Sequence, residues 1–284
     1  MVREFKLINE NGQEYSLMDI ERYCLLTDPS GLGFSYTTEY EQLGNTFISN
    51  LRKLEQGQIS GTVNFLSYDN YKNFVDFIER AESLKFAYKI PFKNSSKEYF
   101  KDVNIQSLTK TQIQTNGIIS ESITFDCLSL WYEQLTTVYT IEKIENEIQW
   151  DFVWDSRFAD YTSRSIIANN DGHVNAAIKV EISGHVINPG IYVYHNGEIY
   201  AGLTILTTIE EGEKLLYSSK DQEIYIRKQN KDGSTENLFK EKYGIDINNR
   251  NIFDIPKGSS EIAITAENNI ANAKLYIYKY YKVV

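Results

Sequence analysis

Residues 58–90 change their hydrophobic period twice, and this change constrains the fold more than any other feature of the chain. Residues 58–65 alternate between apolar and polar side chains, which predicts a strand with one buried face. Over residues 71–81 the apolar side chains recur at steps of three and four, which predicts the buried face of a helix. Ser67 or Asp69 can cap that helix by accepting a hydrogen bond from a free backbone N–H.

Alternation returns over residues 84–90, and the rest of the chain reads as strands separated by turns about every ten residues. Asn196-Gly197 is a strong two-residue hairpin signal, and Asp232-Gly233 marks another turn. Gly61 lies on the apolar face of its strand, where it leaves room for a neighbour to pack closely. The pattern predicts a mainly β protein with a single short helix around residues 68–81.

Three segments depart from simple alternation. Residues 28–34 are interpreted as a turn-rich loop, because a phosphate-binding loop needs a Lys and a Ser/Thr directly before a helix. Residues 44–57 are interpreted as a long projecting loop or arm that reaches a neighbouring subunit. A long strand is predicted over residues 119–131, and Glu121 interrupts its apolar face where the strand would leave the core. The large apolar residues of the arm are Phe47, Ile48, Leu51 and Leu54.

Length and charge limit the functions that the chain can have. Its 284 residues suffice for about two domains, and residues 133–137 form the predicted boundary between residues 1–135 and 136–284. The net charge is −10, and no basic patch with interleaved aromatic residues occurs, so sequence-specific nucleic-acid binding is not expected. No apolar run approaches the ~18 residues of a membrane-spanning helix, and the N-terminus has no signal-peptide core.

Histidines and cysteines do not form a recognisable site. His173, His185 and His195 lack the paired short spacing of zinc ligands and are interpreted as histidines at strand ends. Cys24 and Cys127 each lie among apolar residues, which is typical of buried free thiols rather than of a disulfide framework. We therefore predict no metal site and no thiol chemistry.

An acidic and aromatic cluster is the remaining candidate for chemistry. Asp151, Asp155 and Asp160 surround Trp150 and Trp154, and paired carboxylates beside aromatic rings resemble a glycosidase cleft. Chance clustering is expected in a chain this rich in acids, and tryptophans spaced by four are more often core residues than sugar-stacking platforms. We predict no catalytic residue, no cofactor and no enzymatic activity.

The order of motifs along the chain resembles a known family. The first half reads Pro29-x-Gly31-Leu32-Gly33, then Gln58-x-Ser60-Gly61-x-Val63-x-Phe65, and ends in Phe125-x-Cys127-Leu128-Ser129-Leu130-Trp131-Tyr132. This order is similar to that of the distal tail proteins of long, non-contractile-tailed phages of Gram-positive hosts. The second half is similar to the C-terminal β-sandwich of that family through Asn188-Pro189 and Ile255-Pro256-x-Gly258-x-x-x-Ile262.

That resemblance implies both a fold and a role. The fold would be an N-terminal β-sandwich with one short helix, followed by a C-terminal β-sandwich like those of galectins and carbohydrate-binding modules. The first domain would form a homohexameric ring, the hub of a phage or prophage baseplate, and the second would project outward. The ring would join the tail tube protein to the tail-tip protein that serves host adsorption, with a receptor-binding protein or a saccharide as further partners.

The same resemblance implies a location, and the residues leave a second function open. The protein would be made in the cytoplasm of the host bacterium and would reside at the tail tip of the virion. The alternative is a carbohydrate-binding module that recognises a host cell-wall saccharide. A glycosidase is a distant third reading, since it would require two carboxylates that face each other across an open cleft.

Overall fold

The computed structural model describes residues 3–19, 24–92, 95–113, 117–140, 162–239, 252–268 and 272–284. The chain divides into two compact units. The first unit comprises Met1–Glu133 together with Tyr281–Val284, and the second comprises Gln134–Tyr280. Within the described ranges the fold is mainly β with one helix, as the sequence predicts.

The first unit contains the helix and the strands that precede and follow it. Its elements are β1 (Glu4–Asn9), β2 (Glu14–Ser16), β3 (Met18–Asp19), β4 (Cys24–Ser30), β5 (Tyr36–Leu43), β6 (Thr46–Leu54), β7 (Gln58–Phe65), α1 (Tyr68–Arg80), β8 (Leu84–Phe92), β9 (Ser95–Leu108), β10 (Ile119–Cys127) and the beginning of β11 (Trp131–Thr140). Antiparallel pairing gives the order β3-β4-β7-β10-β9-β8-β1-β2.

One long strand turns this order into a sandwich. Along β9, residues 95–103 pair with β8 and residues 103–108 pair with β10. The sheet therefore folds over its own core, so that Phe86 of β8 meets Phe125 of β10 with ring centroids 5.5 Å apart. Both rings are fully buried.

The helix lies where the change of hydrophobic period places it. Ser67 is its N-cap, and the Ser67 hydroxyl accepts a hydrogen bond from the backbone N–H of Asn70 at 3.2 Å. Phe74 is fully buried and packs against Phe65 of β7 with ring centroids 5.4 Å apart. The prediction of strand, helix and strand over residues 58–90 is confirmed.

The second unit is a β-sandwich of two main sheets. Its elements are β12 (Thr162–Asn170), β13 (Ala177–Ser183), β14 (Val186–Ile187), β15 (Gly190–His195), β16 (Glu198–Thr204), β17 (Thr208–Ile209), β18 (Lys214–Ser218), β19 (Tyr225–Gln229), β20 (Thr235–Asn237), β21 (Gly258–Ala266) and β22 (Asn272–Tyr281). One sheet has the order β20-β19-β18-β13-β22 and the other the order β12-β21-β15-β16.

Aliphatic side chains from both sheets form the core of this unit. Ile178, Val180 and Ile182 of β13 share one cluster with Ile191 and Val193 of β15, and all five are fully buried. The predicted hairpin between β15 and β16 is confirmed, because Asn196 and Gly197 have φ values of 55° and 81°, as a turn of type I′ requires.

The first predicted loop is shorter than residues 28–34. Strand β4 continues to Ser30, and its register against β7 shifts between Thr27 and Ser30. This is a β-bulge, in which Asp28 has a φ of 51° and Pro29 lies where no ladder hydrogen bond is needed. Gly61 faces the bulge, so the prediction of close packing at this glycine is confirmed: a Cβ there would lie 2.8 Å from Leu26 Cδ1.

The predicted strand over residues 119–131 is wrong at its end. Strand β10 stops at Cys127, because the Ser129 hydroxyl and the Leu128 N–H bond to the backbone of Asp102 and redirect the chain. Glu121 does not mark a departure from the core, since it is fully buried. Its carboxylate accepts hydrogen bonds from the N–H of Thr111 at 2.6 Å and from the hydroxyl of Thr109 at 3.0 Å.

Candidate assembly surface

Residues 36–54 form an antiparallel hairpin, which corrects the prediction of a loop over residues 44–57. Strands β5 and β6 are joined by Gly44-Asn45, with Gly44 at a φ of 63°. Glycine at the first of two turn positions is typical of a type II′ hairpin. Glu39 pairs with Leu51 and Tyr40 with Ser49, so Asn50 is an extra residue on β6, and Leu51 lies on the face opposite to the one that simple alternation predicts. The apolar spacing therefore looks irregular in the sequence although the segment is a strand.

The hairpin, which we call the arm, carries apolar side chains on both faces. Tyr40 and Phe47 lie on one face and are 65% and 68% exposed. Leu43, Ile48 and Leu51 lie on the other face and are 49–63% exposed. No residue of β5 or β6 is buried, and among the described strands these two pair only with each other. Large apolar residues clustered in this way mark an interaction surface.

The base of the arm is fixed by polar contacts. The guanidinium of Arg52 lies 4.0 Å from the centre of the Tyr36 ring, and the Tyr36 hydroxyl accepts a hydrogen bond from Lys282 Nζ at 2.6 Å. Glu55 accepts hydrogen bonds from the hydroxyls of Ser35 and Thr37. These bonds hold the pKa of the Glu55 carboxyl below its ordinary value.

The segment that leads from β4 into the arm is tied to the core. Trp131, which is fully buried, donates its indole N–H to the carbonyl oxygen of Leu32 at 2.9 Å. Gly31 has a φ of 77°, and a Cβ there would lie 2.8 Å from the carbonyl carbon of Gln58 and closer still to its oxygen. The backbone passes so close to β7 that only glycine fits. The arm thus projects from a fixed point.

The other candidate residues do not converge on a site. The Nδ1 atom of His185 lies 3.2 Å from a Glu210 carboxylate oxygen, and that of His195 lies 3.0 Å from the Ser260 hydroxyl. No group of three metal-ligating side chains occurs within the described residues. The Asp151, Asp155 and Asp160 cluster, with Trp150 and Trp154, lies outside the described residues.

Both cysteines are buried free thiols, as predicted. Burial raises the pKa of the Cys24 thiol to about 12. Burial also raises the pKa of the Cys127 thiol, while the adjacent Lys101 opposes that rise. Lys101 is itself buried, and desolvation lowers the pKa of its ammonium group. Thiols with raised pKa values are poor nucleophiles, which suits a packing role.

Comparison with known proteins identifies the first unit. Residues 4–128 match the family described as "Distal tail protein, N-terminal domain". This part of the chain is therefore similar to the N-terminal domain of the distal tail protein family. The matched residues include the arm, Gly31 and α1 and end at Leu128, directly after β10.

Two curated distal tail proteins are similar to this chain. That of Lactococcus phage SK1 is 30% identical over 154 residues, and that of Lactococcus phage p2 is 29% identical over 154 residues. Each alignment covers 51% of this chain and 50% of the relative. The matched part of the chain therefore spans about half the length of these curated distal tail proteins.

Solved structures extend the likeness in fold to the whole chain. One match is a chain of the phage P2 baseplate in its activated conformation, with a TM-score of 0.66 and 17% identity. The match covers 100% of this chain and 100% of the baseplate chain. The SPP1 Dit protein, whose structure is described as a paradigm of hub adsorption apparatus in Gram-positive infecting phages, has a TM-score of 0.54 at 11% identity. That match covers 97% of this chain. At these identities the likeness shows that the distal tail protein fold is shared.

No helix in the described part of the chain has the length and apolar character needed to cross a membrane.

Proposed function

We propose that this protein is a structural component of a phage tail tip, in which copies of the first unit close into a ring. The observation that carries the proposal is the arm, a hairpin with large apolar side chains exposed on both faces. The arm buries the largest apolar area when a partner covers each of its two faces, and burial of apolar area favours association. A contact that joins each copy to the next in the same way closes into a ring when the rotation allows.

The ring supplies the hub between the tail tube and the host-adsorption apparatus. We assign it to residues 1–135, with six copies, and assign residues 136–284 to a separate C-terminal β-sandwich domain. Its partners are other copies of itself, the tail tube protein, the tail-tip protein and a receptor-binding protein. The protein resides at the tail tip of the virion, is synthesised in the cytoplasm of the host bacterium and has no catalytic activity. The match of residues 4–128 to the N-terminal domain of distal tail proteins supports the assignment to a phage tail.

Molar mass in solution tests the ring and the arm together. Light scattering over a range of protein concentrations should show a closed assembly near six times 32.9 kDa. The double change Phe47→Glu and Ile48→Glu places a charge on each face of the arm and should reduce that assembly to monomers. Ile224→Glu is a matched control, because Ile224 is also about half exposed but lies in the second unit.

Two results would contradict the proposal. If the double variant assembled as the unchanged protein does, the arm would not be the contact between subunits. If the unchanged protein stayed monomeric at every concentration and was also missing from purified tails, the ring itself would be excluded. Circular dichroism of each variant shows that the fold is kept, so a loss of assembly can be assigned to the contact.

A further inference from the structure

The outer face of one sheet in the second unit has an unusual composition. Across the strands β12-β21-β15-β16, register places two rows of side chains on the face that points away from the core. One row is Ser165, Ala263, Tyr192 and Gly202, and the other is Ile167, Glu261, Tyr194 and Ile199. Among these eight residues Glu261 carries the one charge. Ile167 and Ile199 are 79% and 60% exposed.

The Tyr192 ring lies down over this face because two glycines leave room for it. A Cβ on Gly202 would lie 3.0 Å from Cγ and Cε1 of Tyr192 and closer still to Cδ1. A Cβ on Gly190 would lie 2.8 Å from Cε2 of the same ring. The ring therefore covers both glycines with one face and turns its other face outward. The Tyr192 hydroxyl is held by the hydroxyl of Thr204 at 2.5 Å.

The opposite sheet of the same unit shows what an ordinary outer face looks like here. There Lys179, Glu181 and Lys274 point outward from β13 and β22, with Glu181 and Lys274 as register partners. Arg227 of β19 adds a further exposed charge. Charged residues are 24% of the chain, so the nearly uncharged face around Tyr192 is a local departure from the rest of the unit.

We propose that this face binds a neutral saccharide, with one pyranose ring stacked on the outward face of Tyr192. The C–H groups on one side of a pyranose ring are slightly positive and pack well on the negative face of an aromatic ring. Thr204, Thr265 and Ser165 supply hydroxyls around the platform, and a few such polar groups orient a ligand on an otherwise apolar surface. The Glu261 carboxylate can accept hydrogen bonds from sugar hydroxyls.

Charge selects a neutral saccharide over an anionic polymer. The single charge on the face is negative, and the chain as a whole has a net charge of −10. A phosphate-rich polymer would meet a carboxylate and no cation across the two rows. The proposal does not rest on ring formation, because saccharide binding and molar mass are measured separately.

Binding to a panel of soluble oligosaccharides tests the site in the full chain. The panel contains neutral hexose and N-acetylhexosamine oligomers, with poly(glycerol phosphate) as an anionic polymer that has no pyranose ring. Isothermal titration should show binding to at least one neutral oligosaccharide and none to poly(glycerol phosphate). Tyr192→Leu keeps an apolar cover over the glycines but removes the ring, and it should weaken binding at least about tenfold.

A second variant separates the site from the stability of the sheet. Ser165 is exposed and lies two strands from Tyr192, about 10 Å away by sheet spacing, so the side chain of Ser165→Arg reaches over the platform without removing any packing. It should weaken saccharide binding as strongly as Tyr192→Leu does and leave the melting temperature unchanged. Tyr276→Leu, on the outer face of the opposite sheet, is the matched control and should bind normally.

Three outcomes would overturn the proposal. The first is that the unchanged protein binds none of the neutral oligosaccharides. The second is that Tyr192→Leu and Ser165→Arg both bind as the unchanged protein does. The third is that poly(glycerol phosphate) binds in preference to the neutral oligosaccharides.

Discussion

Gly31→Ala should destabilise the first unit far more than an alanine substitution normally does. Gly31 has a φ of 77°, and an alanine in that region costs roughly 1–2 kcal/mol. The added Cβ would also lie 2.8 Å from the carbonyl carbon of Gln58 and closer to its oxygen. These are backbone atoms of β7 that no side-chain rotation can move, and overpacking of this kind adds about 1–3 kcal/mol. We expect a total loss of about 2–5 kcal/mol in the free energy of unfolding.

Gly33→Ala provides a control two residues away. Gly33 has no positive φ, and a Cβ there would meet nothing within 4 Å, so the change should be neutral or stabilise by up to about 1 kcal/mol. Urea unfolding followed by tryptophan fluorescence measures the difference, since Trp131 bonds to Leu32 between the two glycines. With a slope of about 2 kcal/mol per molar, the Gly31→Ala midpoint should fall by about 1–2.5 M. Equal midpoints for the two variants would refute the close approach to β7.

Two further predictions concern the buried carboxyl group of Glu121 and the half-buried carboxyl group of Asp254. Glu121→Gln should lower the free energy of unfolding by about 1–3 kcal/mol, because the hydrogen bonds from Thr109 and Thr111 to the carboxylate are weakened. Urea unfolding measures this loss, and Glu39→Gln at an exposed position is the control. If both variants unfolded at the same urea concentration as the unchanged protein, the prediction would be wrong. Burial, and to a smaller extent the nearby Asp221, raises the pKa of the Asp254 carboxyl. The ionised form of Asp254 therefore lowers the free energy of unfolding, and this loss of stability disappears as the pH falls through the folded pKa. Asp254→Asn should therefore raise the melting temperature at pH 7, and thermal melts well below pH 3.8, its ordinary pKa, should show no such gain.

Sequence patterns predict those elements whose conformation and burial depend on residues close to them in the chain. The helix α1 is such a case, since its cap at Ser67 and its buried Phe74 both follow from spacing in the sequence. The turn at Asn196-Gly197 is another, because few residue pairs adopt positive φ at both positions. In each case a few adjacent residues determine the conformation.

The features that sequence patterns miss depend on distant partners. The arm contains a bulge at Asn50 that shifts the apolar residues of β6 between faces, so no single period describes it. Glu121 is buried because Thr109 and Thr111 reach its carboxylate from another segment. The platform at Tyr192 needs Gly202 on the neighbouring strand. A single sequence without the register of the sheet contains no signal for these pairings.

The last four residues of the chain belong to the first unit, and this has a consequence for how such proteins can diversify. Tyr281 packs its ring against Tyr99 and donates its hydroxyl to Glu133, so the first unit holds both junctions of the second unit. In genetic terms the second unit is an insertion rather than an appendage. A recombination event that exchanges the second unit and leaves the rest of the chain unchanged crosses over at two places, near Glu133 and near Tyr281. When both junctions are kept, the inserted module can be exchanged while the residues that build the arm stay unchanged.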